Sequence, residues 1–232
     1  MSRRPGGELA SRPLHFFWIC DCSGSMQSDG KIQSLNNAIK EALPHMQRSA
    51  DENPNAEVFV RAARFADGAQ WHVAQPTPVA DFQWTDLKAG GMTDMGKAIR
   101  MVAEQLRIPP MSERALPPIL VLVSDGQPTD DYAGAVRELL DLPWGKRSVR
   151  IAVAIGEDAD QDALRLFVAN PEMPVLQANN AETLVNYIKW ASTAVLKAAS
   201  APASQRAGVA SAAHVPVPVP PDSGVPSTAD VW

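Results

Sequence analysis

The 232-residue sequence is short of the residues that usually announce extracellular or catalytic chemistry. It has two cysteines, Cys20 and Cys22, and four histidines. A disulfide between thiols two residues apart is strained, and two thiols alone cannot complete a zinc site, so reduced thiols in a reducing compartment are expected. His15, His45, His72 and His214 are scattered and show neither metal-ligand nor triad spacing. Basic residues are not in excess: net charge is −5 and no basic stripe stands ready to neutralise phosphates, which argues against a nucleic-acid partner. No apolar run approaches the ~18 residues of a membrane span. The early arginines precede only a short run, Leu14–Cys20, which Asp21 cuts and no small-residue cleavage site follows. The segment therefore reads as a strand, not an export signal, and a cytoplasmic location is expected. Six tryptophans are dispersed rather than gathered into a stacking platform. No internal repeat is visible.

What is present describes one α/β domain with two appendages. An apolar fraction of 45% supports a real core. Residues 1–12 form a polar leader with Pro5, Gly6 and Gly7, residues 13–199 the domain, and residues 200–232 an Ala/Pro/Val-rich tail without periodicity, expected to be disordered or polyproline-like. Within the domain, Leu14–Cys20, Ile119–Val123 (ILVLV) and Val149–Ile155 (VRIAVAI) are continuous apolar runs suited to strands buried on both faces. Glu57–Phe65 and Ala69–Val73 flank Asp67-Gly68 as a hairpin, with the second strand antiparallel. Gln75–Leu87 reads as a proline-containing excursion. Helical spacing marks segments starting near Lys31 and Met95, then Tyr132–Leu142, Asp160–Ala169 and Ala181–Ala198, with Val175–Leu176 a short last strand. Alternating strands and helices predict a Rossmann-like, doubly wound, mostly parallel sheet with one antiparallel edge strand.

In such a sheet, ligands sit beyond the carboxyl ends of the strands, where strand order reverses. Three loops are candidates for that place: Asp21-Cys22-Ser23-Gly24-Ser25, Gly90-Gly91-Met92-Thr93-Asp94, and Ser124-Asp125-Gly126. Each sets small oxygen-bearing side chains beside glycine. Hydroxyls of Ser23, Ser25 and Thr93, with carboxylates of Asp21 and Asp125, suit a hard cation: Mg²⁺ first, with Mn²⁺ or Ca²⁺ possible by the same chemistry. Gly24 lets the two serines face one point, and Gly24, Asp94 and Gly126 are the expected supporting residues around the five ligands. A cation touched by few charged groups keeps an appetite for an outside carboxylate.

Asp21-x-Ser23-x-Ser25 with Thr93 and Asp125 resembles the metal-ion-dependent adhesion site of von Willebrand factor A domains. The resemblance covers about Leu14 to Ala198 and implies a Rossmann-like fold and a metal-dependent protein-binding module, not an enzyme, that captures an Asp or Glu of a partner protein. The text FFWICDCSGSM…IQSLNNAIKEALPHM and LVSDGQPTDDY is further similar to bacterial TerY-type proteins of the tellurium-resistance group. That implies a protein kinase and a metal-dependent protein phosphatase as partners in a stress-signalling triad. Cys22 departs from the residue types expected at its position, and the cysteine-free tail cannot carry the zinc ribbon of some relatives. A regulatory alternative is phosphorylation of Ser23, Ser25 or Thr93, which would add roughly −1.5 to −2 charge at the site.

Rival readings are weaker. Asp21, Ser23 and Ser25 are also turn formers and Thr93 a helix cap, but three matching loops in order outweigh that. Gly91–Lys97 mimics part of a phosphate-binding loop, yet Ala98 stands where a Ser or Thr should meet Mg²⁺. An aspartyl phosphatase needs a second carboxylate where Ser23 sits, and neither Ser23 nor Ser25 lies in a G-x-S-x-G elbow. No general base flanks the expected cation, which ranks a metal-dependent hydrolase low.

Overall fold

Ten residues from Arg12 to Asp21 form the first strand, β1, at the centre of a six-stranded sheet. The computed structural model describes residues 11–201 and 215–221. Aromatic and β-branched side chains fill both faces of β1, and Phe16 through Asp21 are buried on either side, as a central strand requires. A short 3₁₀ segment, Gly24–Gly30, leads to helix α1 (Lys31–Asp51), then to β2 (Ala56–Ala66) and β3 (Gly68–Pro78). Helix α2 (Met95–Gln105) returns the chain to β4 (Ile119–Ser124). There follow α3 (Tyr132–Asp141), α4 (Pro143–Arg147), β5 (Val149–Ile155), α5 (Gln161–Val168) and β6 (Leu176–Ala178). Helix α6 (Ala181–Trp190) runs through a π-helical turn, Ala191–Val195, into α7 (Leu196–Ser200).

Strand order is β3-β2-β1-β4-β5-β6, all pairs parallel except β2 with β3. The chain leaves β1 toward β2 on one side and later returns to β4 on the other. Order therefore reverses between β1 and β4, which pair from Phe16↔Ile119 to Cys20↔Val123. Helix α1 packs with α6 on one face of the sheet, and α2 packs with α3 on the other. The expected doubly wound sheet with one antiparallel edge is the architecture found. No helix among the described residues is long and apolar enough to cross a membrane.

Several boundaries differ from the sequence reading. Strand β3 does not end at Val73. It continues through Pro76 to Pro78, re-pairing as Val60↔Thr77 and Phe59↔Pro78 after register shifts next to Ala62. Proline is tolerated there because β3 is the sheet edge and lacks a neighbour for the missing N–H. The short α4 was not expected; its five residues are too few to show a period. Leader residues 1–10 lie outside the described residues, but Arg12 already belongs to β1, its guanidinium donating to the carbonyls of Arg114 and Ala115. Of the tail, residues 202–214 and 222–232 lie outside the described residues. Val215–Pro221 has no regular secondary structure, yet it is not free along its length: Val215 is buried and Val217 packs on the core, beside Val149, Val168 and Met173. Apolar valines between prolines find apolar side chains of the domain to pack on.

Candidate metal centre

The three expected loops converge at the carboxyl ends of β1 and β4. Asp21 is the last residue of β1 and Asp125 directly follows β4, so the parallel pairing of these strands sets the two carboxylates side by side. Both are fully buried, as are Ser23 and Thr93, whereas Ser25 is exposed at the rim. Ser25 Oγ donates to Asp125 Oδ1 at 2.7 Å and lies 3.0 Å from Ser23 Oγ. Asp21 Oδ1 accepts the Ser23 backbone N–H at 2.7 Å, and Asp21 Oδ2 accepts the hydroxyl of Ser124.

Backbone bonds tie the second loop to the first. Gly24 N–H donates to the Gly91 carbonyl at 2.9 Å, and Gly90 N–H to the Cys22 carbonyl at 2.8 Å. Thr93 is held from a third direction by Thr129, whose N–H donates to the Thr93 carbonyl and whose hydroxyl accepts the Thr93 N–H. A Cβ placed on Gly126 would stand 3.5 Å from Thr93 Oγ1 and 3.7 Å from Asp21 Oδ2. One methyl group would thus touch ligand oxygens from two different loops, which brings Thr93 into the same small space as Asp21. All five expected ligands meet there.

The supporting residues divide. Gly126 and Gly24 lie where they were expected. Asp94 turns away from the five oxygens: its carboxylate accepts from Gly68 N–H, the Lys97 ammonium and the Thr129 hydroxyl, anchoring the loop to the β2–β3 hairpin. Thr93 does not cap α2 either. The free N–H groups of Gly96 and Lys97 are taken by Asp130, so a carboxylate occupies the place a phosphate would need in the phosphate-loop reading.

Two functional residues escaped the sequence reading. Lys31, buried, places its ammonium 2.9 Å from Asp125 Oδ2. A signal existed: lysine opens α1, the helix end where a positive charge is disfavoured. Ser124 was read only as part of the third loop, and its bond to Asp21 needed the strand register to become visible.

Electrostatics follow from this partition. Lys31 balances Asp125. Asp21 has no ion-pair partner among the described residues. Burial raises its carboxyl to about 6; hydrogen bonds from Ser124 and Ser23 hold it down, and the neighbouring Asp125 charge pushes it up again. At neutral pH this buried carboxylate is ionised and uncompensated, amid hydroxyls and carboxylates and no nitrogen or sulfur ligand. Among the described residues no three His, Cys, Asp or Glu side chains cluster as a metal-binding group, so the site is distinguished by its hydroxyls. Such a donor set fits a hard divalent cation. Cys20 and Cys22 are unpaired and buried; burial raises both thiols, Cys22 to about 12, which keeps them protonated.

Comparison with known proteins agrees with this fold. The model of the von Willebrand factor type A domain matches residues 17–189. No curated protein matches the chain. Among solved structures, the von Willebrand factor type A protein from Catenulispora acidiphila superposes with a TM-score of 0.60 at 19% identity, over 80% of this chain and 43% of that one. The pilus adhesin SpaC from Lactobacillus rhamnosus GG gives 0.63 at 12%, over 79% and 30%. Proximal thread matrix protein 1 from the mussel byssus, with a zinc-occupied MIDAS motif, gives 0.55 at 17%, over 80% and 47%. The chain spans less than half the length of each of these structures.

Proposed function

The chain belongs to the von Willebrand factor type A domain family, and from that premise we propose that it is a metal-dependent protein-binding module, not an enzyme. Asp21, Ser23, Ser25, Thr93 and Asp125 hold a divalent cation, Mg²⁺ in this reading, with Mn²⁺ and Ca²⁺ as the alternatives of the same chemistry. The observation that carries it is the buried, uncompensated Asp21 carboxylate in a mouth of hydroxyl oxygens. A cation bound there supplies a coordination position that attracts an Asp or Glu side chain of a partner protein. The protein's own residues do the positioning. Ser124 and the Ser23 N–H fix Asp21, Lys31 and Ser25 fix Asp125, and Thr129 fixes Thr93. With Asp125 already paired to Lys31, little negative charge is left to quench the cation's attraction for a partner. The zinc-occupied motif of the byssus protein supports divalent occupancy in this fold.

The narrower reading, a TerY-type component of a cytoplasmic kinase and phosphatase triad in tellurium resistance, rests on the FFWICDCSGSM and LVSDGQPTDDY segments. A regulatory version has one favouring observation: of the three site hydroxyls, only that of Ser25 is exposed to a kinase, and it donates directly to Asp125. Phosphate at Ser25 would put two anions in contact and displace that bond.

Isothermal titration of Mg²⁺ and Mn²⁺ into the wild type and Asp21→Ala tests the main reading. Saturable heat is expected for the wild type alone, and equal heats from both would remove the proposal. Capture of the partner from the native organism should be abolished by chelator.

A further inference from the structure

Far from the metal mouth, on the α2 face of the sheet, Arg61 is nine-tenths buried without a counter-charge. It leaves β2 opposite Phe17 of β1, four residues and so roughly 13 Å of strand from Asp21, and lines the same cavity as His15. Its guanidinium lies over the ring of Trp71, 4.3 Å from the centroid, with Phe17 at 6.0 Å. One terminal nitrogen donates to Gln105 Oε1 at 2.7 Å and the other to the Ala74 carbonyl, while Nε has no acceptor. No carboxylate among the described residues pairs with it: burial lowers its pKa and no acidic neighbour raises it. Burying an arginine with neutral partners and one unmade hydrogen bond is costly, so the position selects for an anion from outside.

Space for one exists. Arg61 lines a cavity of about 340 Å³ whose wall is otherwise apolar or uncharged, formed by His15, Phe17, Pro76, Pro110 and Met111 together with glutamine amides. His15 is neutral at pH 7, lowered to about 4 by burial and by the Arg61 charge, so the cavity carries a single positive charge. The volume lies at the small end of the range for small-molecule sites. Flat walls of Phe17, Pro76 and Pro110 favour a planar apolar body, and the lone guanidinium favours one carboxylate on it.

We infer that this cavity is a second binding site, for a small monocarboxylate with a flat apolar body, held by Arg61 independently of the metal. The site owes its position to the edge hairpin: the register shift beside Ala62 lets β3 rejoin β2 at Val60 and Phe59, carrying Gln75 and Pro76 over Arg61.

Sodium benzoate is the probe and benzamide its uncharged isostere, both titrated into the full chain with and without EDTA, which leaves no metal to hold a carboxylate. Trp fluorescence and the ring resonances of His15 report occupancy. Benzoate should bind saturably and at least about tenfold more tightly than benzamide, and the His15 ring should titrate at higher pH when benzoate is bound. Arg61→Met should abolish the difference. Equal binding of benzoate and benzamide to the wild type overturns the inference, whether or not Arg61→Met folds. So does a benzoate signal that EDTA removes, because that signal belongs to the metal mouth. Absence of Mg²⁺ binding would defeat the metal reading and leave this result untouched.

Discussion

Gly126 and Lys31 separate what the site needs from what the fold needs. The Gly126 backbone is not in the left-handed region, and an added Cβ would meet Thr93 and Asp21 at ordinary contact distances of 3.5–3.7 Å. Gly126→Ala should therefore change stability by less than about 1 kcal/mol. Its methyl group would still fill the space between ligand oxygens. Mg²⁺ affinity should fall roughly 10–100-fold by calorimetry, the range seen when groups around a metal are disturbed. A variant that unfolds, or one that binds Mg²⁺ normally, would show that the mouth is not where we locate it. Lys31→Met acts in the opposite direction. Removing one partner of a buried pair should cost roughly 3 kcal/mol in EDTA, because Asp125 is left charged and buried. The same change removes a cation from beside the site. The rise in melting temperature on adding Mg²⁺ should then be larger in Lys31→Met than in wild type, and equal rises would sink the idea that Lys31 and the metal compete for the same negative charge.

Elements matter here through their ends. The loop bearing Thr93 is pinned to the tip of the β2–β3 hairpin: Asp67 accepts from Met92 N–H, and Asp94 from Gly68 N–H. Gly91 sits at φ +96°, and a Cβ there would come within 2.6 Å of Asp67 Oδ2. Gly68, at φ +84°, has nothing within 4 Å. Gly91→Ala and Gly68→Ala should both lose about 1–3 kcal/mol in chemical denaturation from backbone strain. Only Gly91→Ala should also weaken Mg²⁺ binding, because the collision shifts the loop that carries Thr93. Equal losses of affinity would mean that strain alone, and not displacement, is responsible. The same elements explain what could be read in advance. ILVLV, VRIAVAI and LHFFWIC have one stable home, a strand covered on both faces, and each candidate ligand loop begins or lies near such an end. Position along the chain thus implied position in space. Two features resisted. Pro76 and Pro78 argue locally against a strand, and only their place at the sheet edge reconciles them with β3. Arg61 looks like an ordinary surface charge in the sequence; its burial depends on the edge hairpin and α2, which supply its Ala74 and Gln105 partners.

Across the whole molecule, His15 and Asp21, toward opposite ends of β1, have opposite effects on stability below neutral pH. His15, near its start, is lowered from the ordinary 6.5 to about 4 by burial and by Arg61, and it stacks against Phe59 and Phe17. Between those two values the unfolded chain binds the proton more readily. The stabilising effect of neutral His15 is therefore complete above pH 6.5 and is lost as pH falls through about 4, a change on the order of 3 kcal/mol. Asp21, at the other end, is raised to about 6 from an ordinary value near 3.8. In its window the folded chain is the better proton acceptor, so acidification favours the fold. The metal-free protein should consequently show a shallower acid response than either group alone would produce. His15→Phe removes one side of this balance while keeping an aromatic ring in the stack. In urea melts with EDTA present, lowering the pH from 7 to 4.5 should destabilise the wild type relative to His15→Phe, since the Asp21 contribution is common to both and cancels. Parallel pH curves for the two proteins would mean that His15 titrates normally, and that the Arg61 cavity beside it is more open to water than its burial implies.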